Sequence, residues 1–263
     1  MVATIAAAVI AGVFIGLMSG LIGVGGGVIM VPAFRLGFGL SAIMSTATSL
    51  FTIIPTSITG IITHVRRKTC VPKLGIALGV GGGLTSPLGA WLAQLSPSWL
   101  VMVSTALAIG YSGFTMLQKA LKVPKGQAQQ GVPPQPSISR ADLAKSVAIG
   151  AVTGVASGFV GLGGGFILVP LMVSVMDLPM RLTSGTSLIA ILILALPASV
   201  LQCALGNVDY FIAVSVACGS VPGALMGARL VSRVPERTLR IVFSVFLGVA
   251  SVLLVLKEVG LLG

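Results

Sequence analysis

Charged residues are scarce in this sequence: Asp, Glu, Lys and Arg make up 8% of its 263 residues, whereas soluble domains carry about a quarter. Hydrophobic residues reach 56% and the mean hydropathy is +1.10, which excludes an ordinary soluble domain. Apolar runs long enough to cross a bilayer recur along the chain, without the polar/apolar alternation of barrel strands. The sequence therefore predicts an all-α polytopic integral membrane protein.

Chemically reactive side chains are equally few, with one histidine, five acidic residues and three cysteines. All five acids lie at the ends of the apolar runs or between them, so no carboxylate relay is predicted inside the membrane. No nucleophile–base pair and no P-loop is present, which argues against an enzyme, and neither a cofactor nor a metal site is predicted. The acidic residues are Asp142, Asp177, Asp209, Glu236 and Glu258.

The single histidine and the three cysteines are predicted to be structural. Cys70, Cys203 and Cys218 lack the spacing of a metal site. The last two lie in or beside apolar runs, where a small buried hydrophobic residue is expected. His64 is closely followed by three basic residues at 66–68. An interfacial loop position is therefore predicted for this histidine, rather than a role as a proton carrier.

The excess of basic residues gives a net charge of +11 but does not predict nucleic-acid binding. Thirteen of the 16 Lys and Arg residues lie in three connecting segments, as the positive-inside rule requires of cytoplasmic loops. The predicted partners are the lipid bilayer and a small solute. The sequence leaves both a monomer and a homo-oligomer open.

The apolar runs form two sets of five. The first set predicts membrane helices over 3–22, 27–37, 45–63, 74–95 and 99–117. The second set predicts helices over 147–160, 165–176, 184–205, 211–230 and 239–256. The segment 123–139 between them is rich in Pro, Gln and Gly, cannot bury a core and is predicted to be disordered. The predicted organisation is a membrane repeat (1–120), a cytoplasmic linker (121–143) and a second membrane repeat (144–263).

The second set repeats the first at an offset of 138 residues. Residues 12–32 and 150–170 are identical at 11 of 21 positions, and most of the matches are Gly, Ser or Pro. Glycines at four-residue spacing also recur in the first and fourth segments of each set, a pattern that lets helices approach closely in lipid. Because the residues that shape the backbone are repeated, the sequence indicates an internal duplication.

The charges of equivalent links indicate that the repeats are inverted. The link between the third and fourth segments carries four basic residues in the first repeat, within 66–73, but only Asp209 in the second. The next link reverses this, since 96–98 is uncharged and 229–240 carries four arginines. Equivalent links are therefore predicted on opposite sides of the plasma membrane. Both chain ends are then predicted on its non-cytoplasmic side, with the first apolar run retained as a span.

A glycine-rich break follows the first segment of each repeat, at 23–27 and 161–165, and is the candidate binding site. A helix that begins at such a break presents unpaired N–H groups and a partial positive charge, to which an anion binds. Inversion of the repeats aims both helix starts at one point in mid-membrane, with hydroxyl groups beside them. The predicted substrate-binding residues are Gly25, Gly26, Gly27, Thr48, Ser49, Gly163, Gly164, Gly165, Thr186 and Ser187, with Ser19 and Ser157 as further hydroxyl donors.

Two properties of these breaks stay open at this point. Glycine-rich turns also form where two helices simply meet tightly, and Ser and Thr often bond their own helix. The segment after each break has only about a dozen residues, roughly 18 Å of helix against a hydrocarbon core of roughly 30 Å. A broken or re-entrant element is therefore predicted, rather than an upright crossing.

The doubled Gly-x-Gly-Gly-Gly element, with a proline five residues later and Thr-Ser-Leu further on, resembles the sulfite exporter TauE/SafE family of membrane permeases. The resemblance spans essentially the whole chain. It implies a permease for a sulfur-containing anion, such as sulfite, thiosulfate or an organosulfonate. Ala47 stands where the second repeat has Gly185, and Pro55 has Ile193 as its counterpart. The two half-sites are therefore expected to differ.

The resemblance and the glycine breaks together predict a secondary transporter that exports its anion by alternating access. Because no acid relay or P-loop is present, the gradient and the membrane potential remain as driving forces. An inside-negative potential of about 100 mV drives one negative charge outward by roughly 2.3 kcal/mol, so export needs no coupling ion. The alternative is a non-transporting membrane assembly factor or metal-handling scaffold, which only Cys203 and Cys218 support.

Overall fold

The computed structural model describes residues 2–122, 138–230 and 234–258, and every regular element within these ranges is helical. Each of the ten predicted apolar segments forms a helix, which confirms the all-α class. α2 continues directly into a π-helical turn, Ala33–Gly37. The helices are α1 (Val2–Ile22), α2 (Gly27–Pro32), α3 (Ala42–Arg66), α4 (Pro72–Leu95), α5 (Ser98–Lys122), α6 (Arg140–Val160), α7 (Gly165–Val175), α8 (Met180–Ala204), α9 (Tyr210–Leu230) and α10 (Glu236–Glu258).

Seven helices in the described ranges are long and apolar enough to cross a membrane: α1, α3, α4, α5, α6, α8 and α9. This finding confirms the polytopic membrane class. Several helices begin before their apolar runs because polar residues cap them. Ser41 accepts a hydrogen bond from the N–H of Met44 at the start of α3 (3.2 Å). Ser139 forms a reciprocal capping box with Asp142 at the start of α6.

The predicted linker is shorter than its bounds of 121–143. α5 ends at Lys122 and α6 begins at Arg140, so both helices extend into it. The prediction of disorder concerns residues 123–137, which lie outside the described ranges.

Equivalent helices of the two repeats exchange partners. α1 packs along α9, whereas α6, the counterpart of α1, packs along α4, the counterpart of α9. α3 packs on its own counterpart α8, and α5 on its counterpart α10. A Cβ added to Gly16 would overlap the backbone of Ser220, and a Cβ added to the equivalent Gly154 would overlap that of Gly82, the counterpart of Ser220. The two repeats therefore contact each other reciprocally, as the two subunits of a two-fold symmetric dimer do, although here both belong to one chain.

Basic residues of both repeats lie at one end of the helix bundle, here called the basic end. Arg67, which follows α3, donates a hydrogen bond to the carbonyl of Arg229 in the last turn of α9 (3.0 Å). Arg181, at the start of α8, donates to the carbonyl of Val234, which follows α9 (3.3 Å). The end of α3, the start of α8 and the end of α9 therefore share this end.

The links with little charge meet at the other end of the bundle, here called the opposite end. Gln94, near the end of α4, donates to Gln202, near the end of α8 (2.9 Å). The N–H of Asp209, just before α9, donates to Thr48 at the start of α3 (3.1 Å). Equivalent links thus lie at different ends of the molecule, as inverted repeats require. Their inversion with respect to a membrane stays a prediction.

The second glycine break turns the chain back on itself. The Oγ of Ser146, early in α6, lies 4.0 Å from the Sδ of Met176, just after α7. α7 therefore returns along α6 towards the end at which α6 began. It has 11 residues, about half the length of the spanning helices, which have 21 to 25 residues. This returning short helix agrees with the broken or re-entrant element predicted from the sequence.

Candidate functional site

Each glycine break contains a tight turn that glycine adopts readily. Gly26 has φ 84° and ψ −14°, and its counterpart Gly164 has φ 77° and ψ −11°, which is the left-handed region. Each of them directly precedes the first residue of a helix, α2 or α7. The first N–H groups of a helix have no acceptor inside it. Both breaks therefore create the helix starts that the sequence predicts.

The two turns contact each other inside the molecule. A Cβ added to Gly27 would lie 2.5 Å from the carbonyl oxygen of Leu162, and a Cβ added to Gly165 would lie 2.6 Å from that of Val24. Residues 23–27 and 161–165 are buried throughout. The breaks thus meet in space as predicted, but they pack directly on each other and leave no gap for a solute between them.

Two isoleucines related by the repeat cover the turns from the side. Ile53 of α3 and Ile191 of α8 each lie 2.8–3.3 Å from the position of a Cβ at both Gly25 and Gly163. The central face of the paired turns is therefore closed by apolar side chains in this conformation. Exposure of this face requires a movement of these two side chains or of α3 and α8.

A buried serine without a hydrogen-bond partner lies beside each turn. Ser19 is 1% exposed and Ser157 is 0% exposed, and neither Oγ has a partner among the described residues. Their Cβ atoms lie 3.6 and 3.3 Å from the Cβ positions of Gly26 and Gly164, respectively. Buried hydroxyls are normally satisfied. The pair at equivalent positions beside two helix starts therefore stands out among the buried hydroxyls, and ligand binding by the two serines stays a prediction.

A small apolar cleft lies next to the first of these serines. Ser19 and Gly26 contribute to its wall, and the rest is apolar and includes Phe246 and Leu247 of α10. A second groove, also bounded by Ile29 and Phe246, continues from it along α2 and α10. An apolar cleft and groove thus lie between α2 and α10 beside the first turn.

The predicted threonines connect helix ends of different repeats. The Oγ1 of Thr48 accepts from the N–H of Asp209 (3.1 Å), and the Oγ1 of Thr186 accepts from the N–H of Val71 (2.9 Å). Thr186 also donates its hydroxyl to the carbonyl of Leu182 (2.6 Å). These bonds join α3 to the start of α9 and α8 to the start of α4. Ligand binding by the two threonines stays a prediction.

The two predicted serines at equivalent positions differ. Ser187 donates its hydroxyl to the carbonyl of Gly23, in the first glycine break. Ser49 is fully buried, and its Oγ has no partner among the described residues. Ser187 therefore holds the turn in place, whereas ligand binding by the hydroxyl of Ser49 stays a prediction.

The interfacial loop position predicted for His64 is wrong. His64 lies within α3 and is fully buried. Its Nε2 lies 3.1 Å from the carbonyl oxygen of Gly20, and its Nδ1 lies 2.8 Å from the Oγ1 of Thr69. The basic residues that follow it do mark the helix end, but the helix turns His64 inward onto α1. Its counterpart at the 138-residue offset is Gln202, and this repeated polar position was the overlooked signal.

The cysteines are spread over different environments. Cys70 is buried, Cys203 is half-buried and Cys218 is exposed on the surface of α9, so the expected burial is wrong for Cys218. Burial raises the pKa of the Cys70 thiol from 9.0 to about 11. Over the three described ranges, no group of three or more His, Cys, Asp and Glu side chains could hold a metal ion.

Known proteins resemble this chain over nearly its full length. The family model for sulfite exporter TauE/SafE matches residues 8–254. The probable membrane transporter protein YdhB of Bacillus subtilis is 29% identical over 91% of this chain and 96% of its own length. YunE of the same organism, also a probable membrane transporter protein, is 25% identical over 91% and 93%.

A more distant organism provides a third relative. The probable membrane transporter protein MJ0441 of Methanocaldococcus jannaschii is 24% identical over 94% of both chains. The helices and these relatives together identify a multi-pass membrane transporter. Because the family model covers both glycine breaks and all ten helices in whole or in part, the protein belongs to the sulfite exporter TauE/SafE family.

Proposed function

We propose that this transporter moves a small sulfur-containing anion, such as sulfite, thiosulfate or an organosulfonate, outward across the plasma membrane. The anion binds where the paired glycine turns begin α2 and α7, at or near residues 25–27 and 163–165. The observation that carries the proposal is the pair of unpartnered, buried hydroxyls of Ser19 and Ser157 beside these two helix starts. Membership of the sulfite exporter TauE/SafE family suggests the class of anion.

Backbone N–H groups and hydroxyls suit this task better than charged side chains do. A lysine or arginine in the hydrocarbon core is expensive, and it would hold an anion too firmly for release. A helix start contributes roughly half a positive charge without a buried ion. Two such starts, with the serine hydroxyls, replace part of the water around the anion as it crosses.

The proposed cycle is alternating access about the two turns. The described conformation is the closed one, since Ile53 and Ile191 cover the turns. Movement of one repeat against the other uncovers the site first at the basic end, which is assigned to the cytoplasm, and then at the opposite end. An inside-negative potential of about 100 mV favours outward movement of one negative charge by roughly 2.3 kcal/mol.

The proposal is tested by flux of labelled sulfite, thiosulfate or an organosulfonate into or out of proteoliposomes under an imposed potential. Gly26→Ala and Gly164→Ala force a side chain into left-handed backbone beside a helix start. We expect each to lower the initial rate roughly tenfold or more, the effect of about 1.4 kcal/mol on a barrier. Ser19→Ala and Ser157→Ala are expected to raise the KM for the anion while the protein stays folded.

Two matched controls separate site effects from general damage. A Cβ added to Gly248 in α10 meets nothing within 4 Å, so Gly248→Ala should transport like the parent. Ser215 is exposed and bonds only its own helix, through the carbonyl of Phe211, so Ser215→Ala should do the same. Unchanged flux in both turn variants contradicts the site. Absence of flux of every sulfur anion in the parent protein contradicts the function.

A further inference from the structure

His64 has hydrogen bonds that fix where its protons lie. Its Nε2 lies 3.1 Å from the carbonyl oxygen of Gly20, and a carbonyl only accepts. Nε2 therefore carries a hydrogen in every protonation state. Its Nδ1 lies 2.8 Å from the Oγ1 of Thr69, a hydroxyl that either donates or accepts. The state of Nδ1 alone decides whether the ring is neutral or cationic.

The hydroxyl of Thr69 satisfies both states of the ring. When the ring is neutral, the hydroxyl donates to Nδ1. When Nδ1 gains a proton, it donates to Oγ1 instead, and the hydroxyl turns to the carbonyl of His64, which lies 3.3 Å from Oγ1. A proton from bulk water can thus be added at Nδ1 by rotation of one hydroxyl, with no hydrogen bond lost.

The charged groups around the ring leave a cationic His64 without a protein counter-charge. α1 contains no titratable residue, and Arg67, which directly follows α3, is a cation that would repel a second positive charge. The link after α3 contributes the thiol of Cys70, and α8 has Arg181 one turn before Gly185, which contacts the Cβ of His64. Arg67 in turn contacts the carbonyl of Arg229 on α9. None of these groups is an acid.

The second repeat has a similar buried polar pair at the equivalent positions, with a side chain that does not titrate. Gln202 occupies the position equivalent to His64 and is 1% exposed. Asn207, the counterpart of Thr69, donates its Nδ2 hydrogen to the Oε1 of Gln202 (2.8 Å). An amide therefore serves the structural purpose of this buried position. The imidazole at the basic end adds the contact with the carbonyl of Gly20 and the capacity to bind a proton.

The bond to Gly20 connects this ring to the candidate anion site. Gly20 directly follows Ser19, a residue beside the first glycine turn whose buried hydroxyl has no partner among the described residues. We propose that His64 binds a proton together with the anion, so that the anion beside Ser19 and Gly26 supplies the negative charge that the imidazolium lacks. This inference rests on the proposed function and adds a co-ligand to it.

Coupled binding has a quantitative signature. If one proton is taken up with each anion, the Kd for the anion falls about tenfold for each pH unit of acidification, while His64 is neutral in the free protein and protonated in the complex. By reciprocity, the anion raises proton affinity by the same factor. The proton enters from water at Nδ1 and returns to water when the anion leaves.

The experiment measures anion binding and proton uptake by the purified full chain between about pH 5.5 and 8, the range in which histidine titrates. The probes are thiosulfate and methanesulfonate, whose own charges stay constant over this range. For the parent protein we expect a tenfold change in Kd per pH unit over part of the range, and close to one proton taken up per anion in weakly buffered solution.

The decisive variant is His64→Gln, which copies the side chain of the second repeat. It should bind and transport the probe with a flat pH profile and without proton uptake. Persistence of the full pH dependence of the Kd in His64→Gln overturns the proposal. An absence of proton uptake when the parent protein binds the anion also overturns it, and this measurement does not depend on the folding of any variant. Anion flux through the parent protein without any pH dependence supports the transporter function and contradicts only the proposal that a proton binds with the anion. If neither probe nor any other sulfur anion binds or is transported, both proposals fail.

Discussion

The hydroxyls of Thr48 and Thr186 show how a residue chosen for binding also serves the fold. Each accepts a hydrogen bond from the backbone at the start of a helix in the other repeat. The sequence predicts a hydroxyl near the glycine break, and the structure shows that the oxygen of this hydroxyl already accepts a hydrogen bond. Sequence alone does not separate these roles, because both need the same group at the same position.

Replacement of Thr186 by valine distinguishes the two roles. Thr186→Val keeps the shape but leaves the buried N–H of Val71 without its acceptor, which costs about 1–3 kcal/mol. We expect a Tm several degrees lower in detergent, with an unchanged KM for the anion if the role is structural alone. Thr186→Ser, which keeps the hydroxyl, is the control. A raised KM at unchanged Tm would instead place Thr186 in the binding site.

The misplacement of His64 has a physical cause. Basic residues mark the end of a membrane helix, and the sequence predicts the end of α3 three residues too early, at Thr63 instead of Arg66. The three additional residues, 64–66, form most of the last helical turn. His64 therefore lies in the helix and is buried against Gly20, instead of lying at the expected surface position. Hydropathy does not detect that turn because two of its three residues, His64 and Arg66, are polar.

At the scale of helices, the spacing of glycines predicts which helix faces make close contacts, and hydropathy does not. The ladders predict close helix contacts, and the structure places them on the backbones of the partner helices. Gly12, Gly16 and Gly20 of α1 lie against α9, where a Cβ would overlap backbone atoms in each case. The identity of the partner did not follow from the sequence, since a ladder specifies closeness and not the helix that it approaches.

Filling one ladder position should therefore separate two helices. Gly16→Val places a side chain where the backbone of Ser220 lies, and overpacking of this kind typically costs about 1–3 kcal/mol. We expect a clear loss of Tm and of monodisperse protein in size-exclusion chromatography. Gly248→Val, on a helix face with open space, should behave like the parent. Equal stability of the two variants would contradict the close contact of α1 and α9.

At the scale of the whole molecule, reciprocal contacts bring equivalent links to different ends. Charge alone predicts this arrangement, and the bonds of Arg67 to Arg229 and of Gln94 to Gln202 agree with it. The direct packing of the two turns could not be predicted, because it depends on how far Ile53 and Ile191 reach over them.

The membrane sidedness of these ends is measured with single cysteines in a cysteine-free background. Lys68→Cys reports on the basic end and Gly206→Cys on the opposite end, and both positions lie in short links outside the helices. A membrane-impermeant maleimide added to intact cells should label Gly206→Cys and should label Lys68→Cys only after permeabilisation. Labelling of both from the same side would contradict the inverted arrangement.

The exchange of partners between repeats also affects how the protein is made. α1 packs along α9, a helix that is synthesised roughly 190 residues later, which takes about 10–40 s at typical translation rates. During that interval the glycine face of α1 is exposed to lipid or held by the insertion machinery. The first repeat therefore enters the membrane as an incomplete unit, and a ribosome that stalls between the repeats leaves a product with unpaired helix faces for quality control to remove.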